Sequence, residues 1–188
     1  MGLFSLHHGK LSYAADYLGY GLLVAATAAA TVAFVPAAQA WTALAFAVAG
    51  AAGWSLAEYL LHRWVLHGLQ PFQRWHALHH ERPRALIATP TVLTMALFFA
   101  LVFVPALWLL PAGRGLALTC GVLAGYLAYT VTHHAVHHWH GRSAWLLRHK
   151  RWHALHHHAG SQACYGVTSP FWDRVFGSTP ATGPQAPR

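Results

Sequence analysis

The heptapeptide Arg74-Trp75-His76-Ala77-Leu78-His79-His80 recurs, letter for letter, as Arg151-Trp152-His153-Ala154-Leu155-His156-His157. Three of its seven positions are histidine, and a chance repeat of that length within 188 residues is remote. On a helix, positions i, i+3 and i+4 fall on one face. Each copy is therefore expected to aim three imidazoles at one point, so that two copies furnish two metal ions or one paired site. The correspondence extends outward: His62 and His67, spaced H-x4-H, match His133 and His138, each displaced by 71 positions. Each half of the chain reads as an apolar hairpin, a spaced histidine pair and then the heptapeptide, a pseudo-repeat on the scale of a helical pair. A His-rich composition alone would not reproduce order and spacing together.

The chain is 56% hydrophobic and 9% charged, whereas a soluble domain carries about a quarter charged residues. This composition points to an all-α integral membrane protein. Four apolar runs are long enough for a hydrocarbon core of roughly 30 Å at about 1.5 Å per residue. They are Tyr17 to Ala38 with Pro36 marking its end, Trp41 to about Leu61, Pro90 to about Leu110, and Leu116 to about Val131. Short turns pair them into two hairpins, and Pro105 is expected to kink the third. Residues 1–16 read as a surface segment with His7 and His8 solvent-exposed. Residues 139–152 read as a basic, aromatic surface stretch whose Arg142, Arg148, Lys150 and Arg151 could meet lipid head groups. Residues 1–178 are expected to form a single domain and residues 179–188 a disordered tail. The first apolar run is too long for a cleavable signal, and Cys120 and Cys164 make no disulfide framework.

A net charge of +8 could suggest nucleic acid, but the basic residues sort by predicted membrane side, which the positive-inside rule explains better. Four spans place both termini and every histidine cluster on one side, and of twelve Lys and Arg only Arg114 falls on the other. The histidine-bearing face is therefore expected to be a cytosolic helical cap, in a bacterial cell membrane, with no nucleic-acid partner. Trp41 and Trp108 would mark the far interface.

The clustered set comprises His62, His67, His76, His79, His80, two from the 133–138 group, His153, His156 and His157. A single site takes roughly three to five protein ligands, so ten imidazoles suit two ions. Neutral imidazole favours zinc, copper, iron or nickel over calcium or magnesium. With four acids in the whole chain, the set is unlike carboxylate-rich di-iron bundles. His62 and His67 diverge by about 140° on a straight helix, so they serve different ions or the helix is distorted. Glu58, four residues before His62, either holds the second nitrogen of a ligating imidazole or pairs with Arg63 or another interfacial cation. Three of the four spans lack charge, which offers no ion path of the kind transporters need. An apolar cavity beside the metals suits a long lipid with one carbon presented to them. The rival class is a membrane metal store or a bis-His haem carrier. The haem carrier needs histidines facing each other at membrane depth, and these lie at helix ends.

The boxes H-x4-H, H-x2-H-H, H-x3-H-H and H-x2-H-H, in that order, resemble the fatty acid hydroxylase/sterol desaturase superfamily of membrane di-iron oxygenases. The flanks Glu58-Tyr59-x-x-His62-Arg63, Tyr129-x-x-Thr132-His133 and Gly166-Val-Thr-Ser-Pro-Phe-Trp-Asp-Arg-Val-Phe-Gly177 strengthen the resemblance, which covers roughly residues 50–178. It implies two iron ions, with zinc a substitute in purified material, and O2 as co-substrate. It also implies a membrane monooxygenase that hydroxylates a lipid, foremost a fatty acyl chain. Sterol or carotenoid substrates and desaturation are the alternatives within the superfamily. The third box implies His133 and His137 as ligands, with His138 the alternative favoured by the internal repeat and His134 left free. The family often has an acid after the position of Tyr129, and here stands Thr130. The Trp172-Asp173-Arg174 stretch is expected to pack the C-terminal segment onto the metal domain, with Asp173 paired to a cation. The chain is expected to carry no cytochrome b5-like segment, so the expected partners are a lipid, the membrane and an external electron donor of ferredoxin or cytochrome b5 type.

Overall fold

Runs rich in Ala, Leu and Val can cross a bilayer only with every backbone group bonded internally, as in a helix. The computed structural model describes residues 6–158 and 162–180, and the regular elements among them are all helical. In chain order they are α1 (Lys10–Phe34), a 3-10 turn (Ala37–Gln39), α2 (Ala40–Leu60), a π-helical turn (Leu61–Leu66), α3 (Phe72–Glu81) and α4 (Thr91–Phe98). A second π turn (Phe99–Phe103), α5 (Val104–Leu109), α6 (Ala112–His138), α7 (Ala144–His158) and α8 (Phe171–Val175) complete the series. Four stretches are long and apolar enough to cross a membrane: Lys10–Phe34, Ala37–Leu66, Thr91–Leu109 and Ala112–His138. The chain divides into two compact units, Met1–Trp54 with Ala85–Leu127, and Ser55–Arg84 with Ala128–Arg188.

In the first unit, α1 begins at Lys10 rather than Tyr17, because no breaker stands between them and extended Gly9 precedes the helix. It ends as expected. Val35 is extended (φ −101°, ψ 119°), the conformation that a following proline imposes. His7 is exposed, but the expectation for His8 fails. Its side chain is 6% exposed, with Nδ1 3.1 Å from Asp16 Oδ2. Backbone bonds from His8 N to Leu86 O (2.9 Å) and from Ala88 N to Leu6 O (3.1 Å) tie this segment to residues 86–88.

Aromatic rings of Tyr20, Trp54, Phe98 and Tyr126 fill the interior of this unit, their neighbouring centroids 4.7–6.2 Å apart. The α2 and α6 backbones touch. A Cβ added at Gly50 would stand 2.2 Å from Leu118 O, and one at Gly121 1.9 Å from Ala47 O. Lipid tails are as apolar as leucine, so helices in a bilayer associate through such close approach of small residues. Large apolar side chains including Val32, Trp41, Leu101 and Trp108 point outward and exposed, as suits contact with lipid. The distortion expected at Pro105 takes the form of a π turn: Val104 N bonds back to Phe99 O, five residues earlier. Proline lacks an N–H and its ring clashes with the carbonyl four residues back, and a wider turn just before it relieves both.

The second unit holds the end of α2 with its π turn, α3, the end of α6, α7, α8 and the loop before α8. Residues 139–143 are not helical. Ser143 then caps α7, its Oγ accepting Leu146 N at 3.3 Å, a favoured residue for satisfying the unpaired amides of a helix start. Of the expected tail, residues 181–188 lie outside the described residues.

Candidate metal centre

A helix that carries H-x4-H must unwind locally to bring both rings to one point. It does so here through the π turn Leu61–Leu66, whose i→i+5 bonding widens each turn so that residues five apart share a face. The ring centroids of His62 and His67 are 5.2 Å apart. Of the two possibilities left open by the spacing, the structure takes the distorted helix.

The heptapeptides behave differently from the expectation that each aims at one point. His62, His67, His76, His80 and His156 form one group, and His79, His133, His137 and His153 another, each with its ligand atoms within 4.8 Å of one another. Each copy thus splits. The first sends His76 and His80 to one group and His79 to the other, while the second sends His156 and His153 to opposite groups. Residues four apart on a helix point about 40° apart, whereas i and i+3 diverge by about 60° to the other side, so a three-residue stripe straddles two points. His157 Nε2 lies 3.0 Å from His153 Nε2, and its ring stacks on His80 at 4.2 Å, which puts the tenth histidine beside the second group. His134 and His138 stack on each other at 4.6 Å and belong to neither group, so the members of the third box that lie in these groups are His133 and His137.

Within the first group the nitrogens face one another. His62 Nε2 and His80 Nε2 each lie 3.0 Å from His76 Nε2, and His67 Nε2 is 3.1 Å from His156 Nε2. His62 Nδ1 donates to Tyr165 O (2.5 Å) and His156 Nδ1 to Ala163 O (2.9 Å), which leaves their Nε2 atoms as acceptors aimed inward. In the second group, buried His79 Nε2 has no hydrogen-bond partner among the described residues. More inward lone pairs converge here than a few ring N–H groups can satisfy, and a cation would accept several of them at once. An all-imidazole set fits iron, zinc, copper or nickel, so the residues present fit a pair of such ions.

Burial also keeps the imidazoles neutral, the form that binds metal. Burial first, then His156 and His80, pushes His67 down to about 4. Burial, then His137 and His80, pushes His79 to about 3, and burial with His156 pushes His80 to about 4. His76 and His153 are held well below the usual histidine value by burial and by neighbouring imidazoles. An unfolded imidazole takes a proton below about 6.5, while these folded ones stay neutral down to about 4. The unfolded state then binds more protons across that window, so stability falls as pH drops through it. The metal-free protein is expected to hold its thermal midpoint above pH 6.5 and to lose it steadily toward pH 4. A flat midpoint across the window would contradict neutral, buried imidazoles.

Neither sequence reading of Glu58 describes its role. It is 4% exposed and accepts Val167 N (2.8 Å), Thr168 N (2.9 Å) and the Thr168 hydroxyl. Arg63 instead donates to Tyr59 OH at 2.6 Å. Among the described residues Asp173 pairs with no cation. It is fully buried and accepts Tyr165 N (2.8 Å), Gly166 N (2.9 Å) and Ser178 Oγ (2.8 Å). A cleft of about 700 Å³ opens beside the first group, lined among others by Arg63, His67, Gln73, His76, His80 and Tyr165. The carbonyls of Ala163 and Tyr165 escaped the sequence reading, because every residue has a carbonyl and no letter marks one that binds an imidazole.

The family model described as fatty acid hydroxylase matches residues 46–178. The chain belongs to the fatty acid hydroxylase family. Among its relatives, the ceramide very long chain fatty acid hydroxylase scs7 of Schizosaccharomyces pombe is 33% identical over 147 residues, covering 72% of this chain and 42% of the relative. The dihydroceramide fatty acyl 2-hydroxylase FAH2 of Arabidopsis thaliana is 33% identical over 147 residues, covering 70% and 59%. Human fatty acid 2-hydroxylase is 28% identical over 141 residues, covering 65% and 36%. The chain thus spans 36–59% of the length of these relatives. The solved structure of full length scs7p, with only the hydroxylase domain visible, superposes with a TM-score of 0.79 at 26% identity, over 93% of this chain and 68% of that one.

Proposed function

We propose that this chain is an integral-membrane di-iron monooxygenase that hydroxylates a fatty acyl chain at carbon 2, with O2 as co-substrate and electrons from a separate redox protein. The observation that carries this reading is the convergence of ten neutral-prone imidazoles into two adjoining groups in a chain of the fatty acid hydroxylase family. His62, His67, His76, His80 and His156 would hold one iron, and His79, His133, His137 and His153, with His157 beside them, the other. When bound, the irons supply activation of O2 toward an aliphatic C–H bond. One O2, two electrons and two protons then give one hydroxyl group and one water.

The chain's own residues support the rest. Carbon 2 is one bond from the carboxyl or amide carbon, so the lipid's polar end must sit close to the metals. The cleft bordered by His67, His76 and His80 also presents Arg63 and Gln73, which suits a polar end. Apolar spans suit the acyl tail. The named substrates of the relatives are fatty acids and ceramides, which favours an acyl chain over a sterol or carotenoid. Residues 1–178 act as one hydroxylase domain in this reading. Its spans form two hairpins, with both termini and the histidine boxes on the cytoplasmic side, on the strength of the basic-residue sorting. The electron donor is of ferredoxin or cytochrome b5 type.

Lipid mass spectrometry of cells that express the chain tests the proposal, together with elemental analysis of the purified protein. Two irons per chain and acyl chains carrying one added oxygen at carbon 2 are expected. An unchanged lipid profile from iron-loaded protein supplied with a reductase and electron carrier would overturn it.

A further inference from the structure

The loop before α8 does more than close the fold, because two of its carbonyls accept the outer nitrogens of His62 and His156, both in the first group. Two buried carboxylates hold that loop. Asp173 collects the amides of Tyr165 and Gly166, and Glu58 those of Val167 and Thr168. Ser178 adds a third tie: its Oγ donates to Asp173 and its carbonyl accepts Cys164 N at 2.9 Å. The loop also fits tightly. A Cβ at Gly166 would stand 2.1 Å from Ser169 O and 2.9 Å from Asp173 Oδ2, so only glycine lets the backbone approach this closely. The second group is built otherwise. The outer Nδ1 atoms of His153 and His157 are buried and have no hydrogen-bond partner among the described residues, so no bond at the outer nitrogen fixes the orientation of these two rings.

From this asymmetry we infer that the two metal positions are unequal. The first is pre-oriented through the Glu58–Asp173 loop clamp, and the second is the weaker and more readily exchanged. The inference rests on the metal-centre reading above. An outer hydrogen bond fixes the tautomer and ring orientation of a ligating imidazole and strengthens it as a donor, and its loss typically costs about 10–100-fold in metal affinity. Glu58 and Asp173 are then positioning residues, acting through Tyr165, Ala163 and the loop backbone and not by touching metal or substrate.

Graded chelation of the metal-loaded, detergent-purified chain tests this, with metal per chain read by elemental analysis. Two phases of release are expected, the labile one at a chelator concentration about 10–100-fold below the other. His79→Ala should remove the labile phase and keep the resistant one. Asp173→Asn should shift the resistant phase toward the labile one while leaving the labile phase in place. Glu58→Gln, which loosens the other end of the clamp, should do the same and serves if Asp173→Asn does not yield monodisperse protein. Release in a single phase from the wild type overturns the inference, as does loss of the resistant phase in His79→Ala. Unchanged phases in a folded Asp173→Asn or Glu58→Gln chain overturn it too. An absence of any histidine-dependent metal from the wild type would instead overturn the metal-centre reading, and this inference with it.

Discussion

His156→Ala is expected to abolish lipid oxidation and to strip metal from the purified chain. His156 is 1% exposed. Its Nδ1 is held by Ala163 O, which points Nε2 into the first group, 3.1 Å from His67 Nε2. Its ring also packs 4.4 Å from that of His62. The substitution therefore removes a donor atom, a hydrogen bond and a packing partner at once. Loss of an outer partner of a ligand costs about 10–100-fold, and loss of the ligand itself should exceed that. His8→Ala is the matched comparison. His8 pairs with Asp16 in the first unit and should alter neither metal content nor product. Lipid mass spectrometry and elemental analysis read both variants. Full lipid oxidation in His156→Ala would remove this histidine from the site, while a variant that elutes as aggregate would be replaced by His156→Gln.

The second large effect lies in the first unit. Gly121→Val is expected to prevent folding to a monodisperse state, because α2 and α6 touch through their backbones there. Even a single Cβ would stand 1.9 Å from Ala47 O and 2.8 Å from Ala47 C. Neither is the end of a flexible side chain, so the helices must separate. Overpacking of a tight core costs about 1–3 kcal/mol, and forcing two backbones apart should reach the upper end of that range or beyond. Gly21→Ala is the contrast, since an added Cβ there meets nothing within 4 Å. Thermal unfolding and size-exclusion profiles in detergent distinguish the two. A Gly121→Val chain with the parent's midpoint would show that the crossing is not tight.

Much of the architecture was legible in the residues themselves. Apolar length marked four helices, and proline marked the end of the first through its effect on Val35. The H-x4-H spacing announced either a distorted helix or divided service, although not which. His133 and His137 were singled out by the family resemblance, against the internal repeat that favoured His138. The roles of Glu58 and Asp173 were misjudged for one reason. A carboxylate near cations or histidines suggests those partners, but buried carboxylates here satisfy backbone amides of a loop that carries no local signal. The partners lie 109 and 110 positions away from Glu58, beyond the reach of any periodicity argument.

The letters of the chain determined which segments can lie in lipid, which imidazoles share a helix face, and the family to which they belong. Helical periodicity and hydropathy are local properties, so a linear sequence carries them in full. Only the tertiary structure decided that each heptapeptide divides its histidines between two groups, that a π turn brings His62 to His67, and that a loop held by two buried carboxylates reaches His62 and His156 of one group. Those outcomes depend on which faces meet and where backbone carbonyls point, and neither is written in any single stretch of residues.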